Sequence, residues 1–356
     1  MRLMPRPATL RLTRPYGRTL LLAALILLVL AGLVETLSRV GAIQAHLPAP
    51  SLGSGHQNFD LKLARLEVFI KKEGGVDCIL LGSSTVNYDL VPSIMRKTFR
   101  HGTGKDIRVF NFGLAGLSNP ATVALMKILV DRFHPRLIIL GIFPGEENFG
   151  RATGERLMSN PWVNQKLGRP SFNGWLLDHS LAYRYFMRFC VWLKQPEFSR
   201  SIRRLERQTA PDGYTKSTRA MPNIDDPPDP VQEREYFVRY GHFQVAPSHL
   251  EAVDNLLRFK TKVELVVLEV PIHSTFMAFF GHGKSDYDLA VAETRKRALR
   301  EEVPFWSASQ VRIPSEGWWN RNHLNLAGAQ VLSRWLGERL AEAVNQGQLK
   351  NPGGRP

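Results

Sequence analysis

A parallel α/β sheet covered by helices on both faces, a three-layer fold, is what this sequence predicts, and three observations predict it. Short apolar runs, rich in β-branched or aromatic side chains, recur at residues 76–81, 107–112 and 136–143. They are continuous rather than alternating, as expected of strands buried on both faces. Each gives way to a loop with Gly, Ser or Pro and then, at least after the first two, to a stretch with helical spacing, so that parallel strands joined by right-handed crossovers are the natural connection.

The first run stops at Gly82-Ser83-Ser84, followed by Thr85-Val86-Asn87-Tyr88-Asp89. Ligands and reacting groups of open α/β sheets collect at the carboxyl edge, where a small residue lets the chain turn and leaves the next hydroxyl exposed. Ser84 is therefore the candidate nucleophile. The plainer reading is a turn before a short helix with Pro92 near its start. The second run ends at Gly113-Leu114-Ala115-Gly116-Leu117-Ser118-Asn119-Pro120, where Ser118 or Asn119 can cap a helix whose apolar face includes Val123, Met126 and Val130. Gly113 and Gly116 either bring a backbone N–H close to a ligand or serve tight packing. The third run opens into Pro144-Gly145-Glu146-Glu147-Asn148.

From about residue 150 to 250 the rhythm breaks: an aromatic helical stretch at 183–193, a basic run through Arg200, Arg203, Arg204 and Arg207, and a Pro/Asp-rich loop around 222–230. These residues read as an insertion, partly mobile, lying over the crevice, against a bilayer or on its own domain. Regular α/β then returns with a helix near 248–259, a strand at 263–270 and His273 just past it. The domain closes with Trp318-Trp319-Asn320-Arg321-Asn322-His323-Leu324-Asn325, a final amphipathic helix and a polar tail over 346–356.

The N-terminus carries Arg2, Arg6, Arg11, Arg14 and Arg18 before an uncharged run from 19 to 34, and no acid occurs until Glu35. This predicts a basic cytoplasmic arm (1–18), a transmembrane helix (19–40), a Pro/Gly/Ser-rich linker (41–60) and a globular domain (61–345) outside the cytoplasm. A cleaved signal peptide is the alternative. In a bacterium, the expected place is the inner membrane, single-pass, with the domain in the periplasm. The net charge is +15, but its cations are spread along the chain without a nucleic-acid motif. An anionic membrane surface or envelope polymer fits that charge better than nucleic acid. Cys78 and Cys190 are the only cysteines, which rules out a disulfide framework of more than one bridge and leaves no metal-ligand spacing. No metal or cofactor is expected.

In their order along the chain, these motifs resemble the SGNH/GDSL hydrolase superfamily over about residues 74–345. Gly82-Ser83-Ser84 is similar to its nucleophile block, with Ser83 in the usual Asp place. Gly116 matches the glycine that donates an oxyanion-hole N–H, and Asn320-Arg321-Asn322-His323 matches the late acid–base block with Asn in the Asp place. Phe143 stands where the superfamily carries an Asn. The resemblance implies a flavodoxin-like three-layer domain with Ser84 as nucleophile, His323 as base, Asn320 orienting it, and the backbone N–H groups of Ser84 and Gly116 as oxyanion hole.

Together with an N-terminal membrane helix, the Gly-Ser-Ser block is more similar to the membrane-anchored branch that includes DltD and the alginate O-acetylation proteins. That branch implies an acyltransferase or esterase acting on an envelope or exported polysaccharide, with a membrane-bound O-acyltransferase as a partner. Asn148, His273, Trp318 and Trp319 are expected to contact substrate. Because a neutral Asn320 cannot stabilise an imidazolium as a carboxylate does, Glu146 or Glu147 fills that role, or a slow dyad remains, or catalysis is lost. The last case is a degenerate module that binds polysaccharide or docks the acyltransferase.

Overall fold

Strands Cys78–Gly82 (β1), Val109–Gly113 (β2), Leu137–Ile142 (β3), Glu264–Glu269 (β4) and Phe305–Ser307 (β5) pair in parallel in the order β2-β1-β3-β4-β5. This is the flavodoxin-like order, whose switch point lies between β1 and β3. The computed structural model describes residues 14–143, 151–194, 196–217, 224, 230–243 and 245–353.

Alternate side chains divide the sheet into two buried faces, as a pleated strand requires. Ile79, Leu81, Phe110, Phe112, Ile138 and Leu140 face one core, covered by helices Gln57–Glu73 (α3), Asn119–Phe133 (α6) and Pro247–Leu257 (α13). Leu80, Val109, Ile139, Val266 and Leu268 face the other, with Ser84–Asp89 (α4), Pro92–Thr103 (α5) and Leu326–Asn345 (α15). Helix Lys284–Arg300 (α14) leads into β5, and a short antiparallel hairpin, Trp318–Asn320 (β6) and His323–Leu324 (β7), precedes α15. Three layers around a parallel sheet are thus what the continuous apolar runs predicted.

Three stretches differ from expectation. The linker over 41–60 is only half a linker: after the short helix Gly41–Gln44 (α2), residues Ser51, Leu52, Ser54 and His56 are buried and α3 has already begun at Gln57. Gly53 and Gly55, at φ +65° and +70°, make the turns, and Asn160 holds the Leu52 carbonyl at 3.1 Å. Gly/Ser/Pro content signals irregular backbone, but not whether that backbone is buried.

The insertion is helical over most of its described length: Arg151–Ser159 (α7), Pro161–Lys166 (α8), Phe172–His179 (α9), Leu181–Lys194 (α10), Pro196–Gln208 (α11) and Pro230–Tyr240 (α12). Trp162 from α8 is fully enclosed in the first core, so this segment is partly core. Of the Pro/Asp-rich loop around 222–230, only 224 and 230 lie within the described residues. The polar tail also packs back, with Leu349 buried and Arg136 donating to the Pro352 carbonyl at 3.4 Å.

Near the N-terminus, Arg14–Ser38 (α1) contains a span, Tyr16–Ser38, of mean hydropathy 2.7, whose apolar window is not buried in the rest of the chain. Its length and composition suit a single-pass anchor or a signal sequence. Residues 1–13 of the basic arm lie outside the described residues.

Candidate active site

β1 ends at Gly82, Ser83 is the N-cap of α4 in extended conformation, and Ser84 is the first helical residue. The short helix lies directly over the strand ends. A Cβ added at Gly82 or Gly141 would run into Val86, and one at Gly113 into the Asn87 backbone. Glycine at the ends of β1 and β2 and within β3 is therefore a matter of close approach: no larger residue lets α4 settle on the sheet. Asn111 clamps the same helix from below. Its Nδ2 donates to the Val86 and Leu90 carbonyls, both at 2.7 Å, while its Oδ1 accepts from Gly113 N–H at 2.9 Å and from Lys62 Nζ at 3.0 Å. Lys62 is wholly buried, and desolvation pushes its ammonium well below the ordinary lysine range.

His323 comes to Ser84 from far along the chain. Asn320 and His323 face each other in the β6–β7 hairpin, and Asn325 caps α15 just beyond, accepting from Ala327 N–H at 2.9 Å. His323 Nε2 lies 2.8 Å from Ser84 Oγ, and its Nδ1 lies 3.0 Å from Asn320 Oδ1. Asn322 N–H also donates to that Oδ1, at 3.1 Å. A backbone N–H can only donate, so the amide atom facing it is the oxygen, and the imidazole carries its proton on Nδ1. The Nε2 lone pair then points at the Ser84 hydroxyl, as a general base requires.

Two aromatic rings flank this half-buried imidazole. Tyr88 meets it edge-on at 5.5 Å, Trp319 lies tilted at 5.4 Å, and the two rings touch each other at 5.0 Å. Desolvation lowers the His323 pKa to about 4, from an ordinary value near 6.5, so the ring is neutral and able to accept a proton at pH 7.

Asp89, at the end of α4, is a residue that sequence reasoning passed over. It is fully buried, its Oδ1 accepts the N–H of Leu324 at 2.8 Å, and burial pushes its carboxyl well above the usual range. The carboxyl thus grips the strand that carries His323, through the backbone and not through the ring. The signal was present in the motif itself: an acidic side chain five residues past the serine, the one charged residue of a six-residue helix. Asn111 had a signal too, as a lone amide inside the apolar run of β2.

Gly116 sits at φ +71° in the turn closed by Leu117 N–H on the Leu114 carbonyl, at 3.2 Å. His56 braces this loop from the N-terminal segment, with Nε2 3.1 Å from the Ala115 carbonyl. Phe143 is buried in an aromatic cluster with Tyr240 and Phe276, so its own side chain offers no hydrogen-bond donor to the site. His273 caps the 3-10 turn after β4, bonds Thr275 Oγ1 at 2.7 Å, and donates its backbone N–H to the Arg321 carbonyl of the hairpin at 2.9 Å. Trp318 is only 5% exposed and packs on the His273 ring, which makes it part of the support and not a surface for a sugar. Trp319 is half-buried against His323. Glu146, Glu147 and Asn148 lie outside the described residues.

Among the described residues no group of His, Cys, Asp or Glu is placed to hold a metal ion. A cleft of about 940 Å³ between α3 and the segment around Pro48 includes neither Ser84 nor His323.

No family model matches the chain, and no curated protein matches it. Among solved structures it is similar to a carbohydrate acetylesterase family member from Sinorhizobium meliloti, at 11% identity over 76% of this chain and 100% of that one, with a TM-score of 0.37. An inhibitor-bound aryl esterase of M. smegmatis matches at 12% identity over 76% and 99%, TM-score 0.38. A lipase/acylhydrolase from Enterococcus faecalis matches at 8% over 79% and 100%, TM-score 0.36. By its own strand order and side chains, the chain is a three-layer α/β protein of flavodoxin-like topology with a serine–histidine–asparagine relay beside its switch point.

Proposed function

We propose that this chain is a membrane-anchored, SGNH-like serine acyltransferase or esterase whose substrate is an acylated envelope or exported polysaccharide. The observation that carries the reading is the relay from Ser84 Oγ to His323 Nε2 at 2.8 Å and from Nδ1 to Asn320 Oδ1 at 3.0 Å. Ser84 Oγ attacks the ester carbonyl carbon as its proton passes to Nε2, giving a tetrahedral oxyanion and an imidazolium. Backbone N–H groups of Ser84 and Gly116 are the proposed donors to that oxyanion, where one donor is typically worth ~3 kcal/mol. Nε2–H then protonates the departing alcohol oxygen as the carbon–oxygen bond breaks. The acyl group, now on Ser84, leaves when a second hydroxyl or a water gives its proton to Nε2 and attacks in turn, restoring the serine.

Asn320 supports a specific orientation without supplying charge, and this limits the proposed turnover more than any misplacement of groups. A degenerate module that binds polysaccharide, or docks a membrane-bound O-acyltransferase, is the competing reading. Phe143 and Asn320 together favour it, since two polar positions of the superfamily pattern are replaced. Labelling separates the two. A serine-directed fluorophosphonate should modify the wild-type chain at Ser84, and Ser84→Ala should abolish both labelling and acyl-ester turnover while leaving folding intact. Absence of labelling in a folded chain favours the module.

Location is part of the proposal: inner membrane, with α1 crossing once and the domain in the periplasm. Arg2, Arg6, Arg11, Arg14 and Arg18, all before the uncharged run from 19 to 34, support that orientation. A reporter fused after Pro356 should be active outside the cytoplasm, and cytoplasmic activity would overturn both the location and the polysaccharide substrate.

A further inference from the structure

Helices α9 and α10 expose a row of large apolar side chains that the domain does not cover. Phe172, Trp175, Phe186, Phe189, Trp192 and Leu193 are each close to half exposed or more, with Phe172 at 77%. Phe186, Phe189 and Leu193 recur at helical spacing, so they share one side of α10, while Arg184 on another side is buried and Tyr183 and Met187 pack on the core. Neighbouring rings stack along the row: Phe172 on Trp175 at 6.3 Å, Tyr183 on Phe186 at 6.0 Å and Phe189 on Trp192 at 5.6 Å. A row of exposed aromatics of this size is a binding surface, not an ordinary scatter of surface side chains.

Its place in the chain indicates what it binds. α10 starts at the point where α1 ends. Glu35, in the last turn of α1, caps α10: its Oε1 accepts Leu181 N–H and its Oε2 accepts Ala182 N–H, both at 3.0 Å, and Ser180 Oγ donates to Oε2 at 2.7 Å. Arg39 completes the joint, donating to Glu35 at 2.7 Å and to the His179 carbonyl at 2.9 Å. The end of the apolar span and the start of the aromatic helix are therefore held together. Beside α10, the packed helix α11 presents exposed Arg200, Arg203, Arg204 and Arg207. Trp and Phe beside arginines, joined to the end of a membrane span, match the chemistry of the headgroup layer, in which amphipathic rings sit among anionic phosphates.

We infer that the aromatic row of α9 and α10 lies in the headgroup layer of the bilayer that α1 crosses, with the α11 arginines toward anionic lipid. This rests on the membrane-anchor reading of α1 proposed above. It adds a second contact, which fixes the tilt of the domain and so the height of Ser84 over the membrane.

The chain has seven tryptophans, none of them in α1, so lipid quenching of their fluorescence reports on the domain alone. The full chain is reconstituted in vesicles of dibrominated phosphatidylglycerol and phosphatidylcholine, floated, and compared with Trp175→Phe/Trp192→Phe. Bromolipid should quench the wild type, and the double variant should lose most of that quenching. Both substitutions keep a ring at an exposed position, so the fold is preserved. A wild type that floats with vesicles after alkaline extraction but is quenched no more than the double variant overturns the aromatic contact alone, leaving the row to a protein partner or a second copy. A chain that does not float overturns the anchor and the contact together.

Discussion

Asn320 Oδ1 accepts two donors at once, His323 Nδ1–H at 3.0 Å and Asn322 N–H at 3.1 Å, in the geometry a carboxylate would use. The amide thereby fixes the ring and its tautomer but adds no negative charge for the imidazolium formed during attack. Asn320→Asp should therefore raise kcat on an acyl ester, since the opposite change in a serine triad costs on the order of 10⁴. Asn320→Ala should lower it by removing the hold on Nδ1. Steady-state rates of the two variants against wild type check this, and a fall with Asp would show that the pocket rejects the second charge.

The same enclosure sets a pH range. Because burial holds the His323 pKa near 4, activity should persist down to about that pH, and the acid limb of kcat/KM should lie there instead of near 6.5. A folded pKa below the unfolded value means the contribution of this ring is fully present above about 6.5 and is lost as pH falls from there toward 4. In Asn320→Asp the new carboxylate should move the limb upward. A pH–rate profile with a chromogenic acyl ester distinguishes these, and a wild-type limb at 6.5 would mean that the ring is solvated.

Asp89 gives a stability prediction of opposite sign. Its carboxyl is pushed well above the usual range by burial, and its Oδ2 meets no hydrogen-bonding group among the described residues. Ionisation is thus easier in the unfolded chain. The stability that the neutral carboxyl retains at low pH is lost as pH rises from its unfolded pKa, about 3.9, toward the raised folded value. Asp89→Asn keeps an oxygen for Leu324 N–H and removes that titration, so its gain over wild type should be absent at pH 3.5 and present at pH 7. Asp89→Ala strands the buried N–H, which costs about 1–3 kcal/mol. Thermal unfolding in detergent at the two pH values is the measurement.

Much of this site was legible in the sequence because its chemistry is carried by short local motifs. Ser84 after a continuous apolar run, and His323 three residues past Asn320, identify themselves by type and order. What joins them is not local. The clamp from Asn111 to α4, the grip of Asp89 on Leu324 and the Tyr88–Trp319 walls around the imidazole each link residues that are neighbours only in the fold. The buried half of the linker went unread for a related reason, since composition reports backbone conformation and not burial. The sheet itself was the easiest part, because a strand covered on both faces leaves a continuous apolar record, though its ends shifted by a residue or two where polar groups such as Asp77 and Arg108 pair at the rim.

Gly141 offers the sharpest test of how the nucleophile helix is seated. The Cβ of an alanine there would overlap Val86 Cγ2 and press on Val270 Cγ2 at 3.3 Å, and Val86, a residue of α4, is fully buried. The conflict is steric alone, since the backbone at Gly141 is ordinary strand. Gly141→Ala should then cost about 1–3 kcal/mol as overpacking and shift Ser84 from His323, lowering turnover. At Gly113 the obstacle is the Asn87 backbone, which cannot be trimmed. The two glycines therefore differ in a measurable way. Val86→Ala opens space beside Gly141, so Gly141→Ala/Val86→Ala should be more stable and more active than the sum of the single losses predicts, whereas Val86→Ala should not rescue Gly113→Ala. Melting temperature and acyl-ester turnover across both double-mutant cycles give the coupling. Strict additivity in the Gly141 cycle would show that α4 is not held against β3 by this contact.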